Sequence, residues 1–119
     1  FPVDPDRVFL MGHSEGGVLA YGVALEHPDR FRALIVVGAR LRDADATPDM
    51  LTGAAGKLEV MICHSRGDNA VSFDQAKAAS ETLKGAGVQN RIFPYEGGHG
   101  FTPELVQTIG RWIAARSRE

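Results

Sequence analysis

Short apolar runs alternate along this chain with longer stretches in which apolar residues recur every three or four positions. Val8 to Met11, Ala33 to Val37 and Val60 to Cys63 are apolar throughout, the pattern of strands buried on both faces in a parallel sheet. Gln89 to Pro94 mixes polar and apolar positions and ends in a proline, so a fourth strand is expected there, nearer an edge. Val18 to Leu25 is apolar almost all round and stops before Pro28, which predicts a helix packed on the sheet. Ser72 to Lys84 puts Phe73, Ala76, Ala79 and Leu83 on one helical face, with Ser72 and Gln75 in capping-box spacing and Gly85 just past the end. Thr102 and Pro103 cap and open a last helix whose buried stripe is Leu105, Ile109, Trp112 and Ile113. Gly38 to Lys57, rich in Ala, Asp and Gly, is expected to be irregular. The order predicts an α/β fold of four parallel strands with covering helices.

Composition narrows the function classes. Apolar residues are 44% and charged residues 24% of the 119, ordinary for one globular domain. A net charge of −2 provides no basic face for phosphate backbones, so nucleic acid is not an expected partner. No apolar run approaches a membrane span, and no secretory signal pattern is visible in these residues. The single cysteine, Cys63, sits in an apolar run and reads as a small buried hydrophobe; it leaves the compartment open. The chain opens on Phe1 with structured-looking sequence close behind, so either an upstream segment was removed or this is a piece of a longer protein.

The chemistry begins at Gly12-His13-Ser14-Glu15-Gly16, a G-x-S-x-G motif between a predicted strand and a predicted helix. That context puts a serine on a sharp turn above the sheet, with the glycines letting strand and helix approach closely. A serine hydroxyl becomes a useful nucleophile when a base takes its proton and a third group holds the base. Asp68 follows the third strand and His99 the fourth, so all three lie beyond the C-terminal ends of strands, where open α/β sheets build sites. Alone, Asp68 between Gly67 and Asn69 reads as a turn residue, and His99 as a surface histidine. Together, in the order Ser, Asp, His, they read as a catalytic triad. Of the other histidines, His27 is expected at a helix end, His64 to orient the Asp68 loop, and His13 to shape the elbow or line the pocket. No His, Cys, Asp and Glu set has metal-ligand spacing, so neither metal nor cofactor is expected.

Arg7 to Gly17, Gly67-Asp68 and Gly97 to Phe101 together resemble the α/β-hydrolase superfamily. The resemblance is nearest to small serine esterases: the phospholipase/carboxylesterase, dienelactone hydrolase and polyhydroxybutyrate depolymerase-like groups. The prolyl-oligopeptidase group shares much of the pattern. The likeness covers nearly the whole chain, but only the part those families place from their fifth strand onward. It implies a partial α/β-hydrolase fold in which residues 1–119 form the C-terminal part of one domain. It implies hydrolysis of small carboxylic esters through an acyl-Ser14 intermediate, with the Glu15 backbone N–H as one oxyanion donor. A serine peptidase and a non-catalytic hydrolase half are the alternatives. The second oxyanion donor of the superfamily comes from a region outside this sequence, and one donor is typically worth ~10²–10³ in rate. The Glu15 carboxylate is expected to turn outward into a salt bridge, the alternative being a bias against anionic substrates. The region 38–57 corresponds to the lid of lipases and makes at most a small flap, favouring short-chain esters. Finally, the first strand is central in the resembled fold. Unpaired, it would lead the chain to self-associate or to require an N-terminal partner chain.

Overall fold

The computed structural model describes residues 4 to 117. Four strands form one sheet: β1 (Phe9–His13), β2 (Ala33–Val37), β3 (Glu59–Ser65) and β4 (Gln89–Tyr95). Their spatial order is the chain order and every pairing is parallel. The helices are α1 (Glu15–Glu26), α2 (Pro48–Ala54), α3 (Asp74–Gly85) and α4 (Pro103–Ser117). The predicted α/β architecture is the one observed.

Strand alternation divides the core into two layers. Leu34 and Val36 of β2 and Val60 and Ile62 of β3 face α1, α2 and α3, where Tyr21, Leu25, Leu51, Ala79 and Leu83 pack on them. Ala33, Ile35, Val37, Met61 and Cys63 face the other way, under Leu105, Ile109 and Trp112 of α4. Both faces of β2 and β3 are therefore covered, which is why these runs are apolar at every position. Cys63 is the buried hydrophobe expected, and burial pushes its thiol up to about 12.

The edges differ from the centre. β4 is an edge strand, as its mixed pattern predicted, and Pro94 lies on it. β1 is the other edge: its residues are half-buried and Met11 is 52% exposed. Leu19 and Val23 on α1 are exposed beside it, so α1 buries only one side of its apolar surface, through Ala20, Tyr21, Ala24 and Leu25.

Three local expectations need correction. Residues 38–57 are not irregular throughout. Thr47 accepts a hydrogen bond from the Met50 N–H at 3.3 Å, Pro48 opens α2, and Leu51 and Ala54 bury its inner face. At α3 the capping box is not formed as spaced: Ser72 Oγ accepts from the Asp74 N–H at 3.2 Å. Gly85 is the last helical residue, and the left-handed position is Gly87. There the Gly87 N–H donates to Lys84 O and the Val88 N–H to Leu83 O, a Schellman closure.

Candidate active site

β1 delivers Ser14 to the upper edge of the sheet and α1 begins at the next residue. Ser14 has φ 56° and ψ −120°, and it is the sole non-glycine residue with positive φ among the described residues. Its N–H donates to Val37 O at 2.8 Å, and its carbonyl accepts from Gly17 and Val18, so the turn is pinned on both sides. Serine favours helix N-caps, yet this one makes no side-chain cap bond; the unusual backbone turns its hydroxyl away from the helix. The turn requires Gly12, where a Cβ would collide with the Gly16 carbonyl. Gly16 itself, the other expected packing glycine, faces open space. That close contact is made by Gly17, where a Cβ would sit 2.5 Å from Ala39 Cβ.

His99 reaches Ser14 from the loop after β4, its Nε2 2.8 Å from Ser14 Oγ. Its Nδ1 is 2.6 Å from Asp68 Oδ2. The carboxylate accepts only, so Nδ1 carries the ring hydrogen and Nε2 presents a lone pair to the serine O–H. The Asp68 side chain is buried, and its other oxygen accepts from the Ala70 and Val71 N–H groups at 2.8 Å each. Burial works against that carboxylate's charge. The Val71 N–H, His99 and the Ala70 N–H outweigh it and hold the carboxyl below its ordinary range. Ser14, Asp68 and His99, grouped from the sequence by their order and their places after strands, are thus brought into one continuous hydrogen-bonded relay whose geometry allows a proton to leave the hydroxyl.

The surrounding residues fix the relay's shape. His13 Nε2 lies 2.6 Å from the His99 carbonyl, and its ring packs on His99 and Phe101 at centroid distances of 5.0 and 5.1 Å. These contacts brace the His99 loop against the elbow. His64 lies 3.5 Å from Asp68 Oδ2 and 2.7 Å from Val71 O. His27 caps the end of α1, as expected. Glu15 stands first in α1, and its N–H precedes the first intrahelical donors, Gly17 and Val18. Its carboxylate is exposed but makes no ion pair among the described residues, contrary to expectation. It lies at the helix N-terminus, where negative charge is favoured, in a groove with Arg40 and Arg42, and Arg42 is engaged by Asp45 at 2.8 Å. Sequence reading missed Gly38. With φ 61°, it ends β2 beneath the relay, and a Cβ there would stand 3.0 Å from His99 Nδ1 and 3.3 Å from Asp68 Oδ2. A glycine directly after an apolar strand was the available signal.

Residues 2–117 match the phospholipase/carboxylesterase family. The chain is similar to the carboxylesterase SOBER1 of Arabidopsis thaliana, 28% identical over 114 residues, which are 95% of this chain and 50% of that protein. A probable carboxylesterase of Oryza sativa subsp. japonica is 26% identical over 93% of this chain and 42% of its own length. The crystal structure of Arabidopsis thaliana SOBER1 superposes with a TM-score of 0.82 at 26% identity, covering 96% of this chain and 55% of that one. The Bacillus cereus carboxylesterase, at 17% identity and a TM-score of 0.76 over 95% of this chain and 51% of its own, shares the fold. The chain spans about half the length of these relatives. It belongs to the phospholipase/carboxylesterase family of α/β-hydrolases.

Proposed function

We propose that this chain carries the nucleophile, base and acid of a hydrolase acting on small carboxylic esters. The observation that carries the reading is the unbroken relay from Ser14 Oγ through His99 to Asp68, at 2.8 and 2.6 Å. Ser14 Oγ attacks the ester carbonyl as its proton passes to His99 Nε2. Asp68 holds the imidazole orientation and supports the positive charge that develops on the ring. The Glu15 N–H faces the developing oxyanion. Collapse of the tetrahedral intermediate breaks the C–O bond, and His99 returns the proton to the leaving alcohol. Water then attacks the acyl-Ser14 ester, giving its proton to His99; the acid leaves and Ser14 regains its hydrogen. The matched family is one of ester hydrolases and lends no support to a peptidase.

In the protein as encoded, a fluorophosphonate probe is expected to label Ser14, and p-nitrophenyl acetate to be hydrolysed. Ser14→Ala and His99→Ala are each expected to reduce kcat by about 10³-fold or more, and the double variant little further, since such residues act as a unit. Independent, multiplying losses would refute the shared mechanism.

The same reading makes residues 1–119 the C-terminal part of one hydrolase domain. Its support is the half-length match, the free edge of β1 and the exposed Met11, Leu19 and Val23 on that side. The isolated 119 residues are expected to self-associate or to require an N-terminal partner chain through this edge. Size-exclusion chromatography at micromolar concentration tests it; a clean monomer with a sharp thermal transition would refute it.

A further inference from the structure

We propose that His64 is a positioning residue for the Ser14–His99–Asp68 relay, its ring closing the turn that aims the Asp68 carboxylate; this rests on the role assigned to that relay above. Along β3, Val60 and Ile62 point into the layer under α1 to α3, and His64 occupies the next position of that alternation. Its side chain is completely buried. An imidazole costs more than an aliphatic side chain there unless its polar atoms are used. One is used: Nε2 lies 2.7 Å from the Val71 carbonyl. A carbonyl only accepts, so Nε2 carries the hydrogen, and the bare lone pair falls to Nδ1, which has no partner among the described residues. The ring's aromatic neighbour is Phe73, edge-on at 5.9 Å. Packing alone would be met by a phenyl ring; the nitrogen serves Val71.

Val71 is the residue that finishes the Asp68 turn. Its N–H donates to Asp68 Oδ1, as does the Ala70 N–H, both at 2.8 Å, while its carbonyl is held by His64. Val71 is thus clamped from both sides. With Oδ1 engaged by two backbone donors, Oδ2 is left directed at His99 Nδ1. His64 Nε2, whose hydrogen goes to the Val71 carbonyl, lies 3.5 Å from that same oxygen, long for a hydrogen bond but near enough for the N–H dipole to offset part of its charge. Removing it frees the Val71 carbonyl, loosens the turn and leaves Oδ2 more negative toward His99.

The ionisable groups around this carboxylate are His64 from β3, His99 from the loop after β4, and Tyr95 at the end of β4, with Cys63 adjoining Tyr95. His13 stacks on the far side of His99. From α3, Lys77 lies over the Phe73 ring and pairs with Asp74. Arg66 and Glu96 pair with each other at the surface. None of these other groups is itself replaced in a His64 variant, so a shift in the pH profile that His64→Gln reverses reports the loss of the His64 N–H.

The test uses the protein as encoded. His64→Phe keeps the ring and loses the donor; His64→Gln restores an N–H at the depth of Nε2. His64→Phe is expected to lower kcat about tenfold or more with KM little changed, as misaligned catalytic groups do. The acid limb of its kcat/KM profile should move to higher pH, because an undercompensated Asp68 holds the His99 proton more tightly. His64→Gln should recover most of the rate and the wild-type limb. The low-field proton resonance of the His99 Nδ1–H should shift in His64→Phe and return in His64→Gln. That resonance needs no turnover, so its result is independent of the esterase assignment, which Ser14→Ala tests separately. Wild-type kinetics in His64→Phe would overturn the proposal. So would equal losses in both variants with limb and resonance unmoved, which would make His64 a packing residue. Should His64→Phe not fold, His64→Asn takes its place, since its amide stops short of Nε2; equal activity of the Asn and Gln variants would then overturn the proposal.

Discussion

Ser14 and Gly38 stand opposite each other in the use of left-handed backbone. Ser14 holds φ 56° with a side chain, a conformation that costs on the order of 1–3 kcal/mol and that surrounding structure must hold in place. Here the Val37 carbonyl, the Gly12 approach and the start of α1 hold it. Gly38 holds φ 61° without one, leaving the relay the room that a Cβ would take. Gly38→Ala should therefore lose about 1–2 kcal/mol of stability from the backbone alone. It should also lose about tenfold or more in kcat/KM as His99 and Asp68 are pushed from alignment. Thermal unfolding and ester hydrolysis on the same sample check both; full activity would mean that the relay tolerates the displacement. Asp68→Asn has a different profile. Its carboxylate is held below the ordinary range by the donors it serves, so the charge is used rather than tolerated. The amide offers no charge to hold the imidazole, and kcat should fall by about 10³-fold or more with the fold retained by circular dichroism. Retained activity would point to another carboxylate, with Glu96 the first to test.

At the scale of elements, α2 shows what a short helix rests on. Its length is 7 residues, too few for a 3.6-residue period to stand out, and Gly53 within it is a poor helix former. Tertiary packing of Leu51 and Ala54 supplies what propensity does not. Reading residues 38–57 as irregular passed over one cue, the cap of Thr47 followed by Pro48, a side-chain acceptor and then a residue lacking the N–H that a first turn leaves over. Thr47→Ala should destabilise this segment by about 1 kcal/mol, seen as faster amide exchange in α2 with α3 and α4 unchanged. Uniform acceleration through the chain would mean that α2 opens only with the whole domain. At α3 the spacing of Ser72 and Gln75 suggested a reciprocal box, but Ser72 Oγ takes the nearer Asp74 N–H.

For the whole molecule, Glu59 at the start of β3 ties distant parts together. It receives Arg116 of α4 in a bidentate pair at 2.7 and 2.8 Å, and Arg32, just before β2, at 3.2 Å. Arg116 holds its carboxyl below the ordinary 4.5, against the opposing effect of burial, and Arg32 adds to the lowering. A carboxyl depressed on folding contributes stability that is present above 4.5 and is lost as pH falls through its folded value. Glu59→Gln should thus cost about 2 kcal/mol at neutral pH, with the gap to the natural protein closing in acid. Urea unfolding at both pH values measures this; a gap independent of pH would assign the effect to packing.

Local chemistry determined much of this protein before any fold was drawn. The buried strands were legible because both faces of β2 and β3 are covered, leaving an unbroken apolar run. The elbow was legible because so sharp a turn needs glycine two residues before the serine, where a Cβ would collide with the Gly16 carbonyl. Asp68 and His99 could be singled out because each follows a strand, where the sheet gathers its loops. Other features belong to the tertiary structure alone, because they depend on contacts between residues far apart in the chain. Gly38 lies under an imidazole that is 61 positions later by numbering and brought to it across the sheet. The burial of β1 depends on what stands beside it, and no pattern within the strand encodes its neighbour. The hydrogen bond from His64 to Val71 likewise exists because the turn folds back on β3, a matter of path and not of spacing.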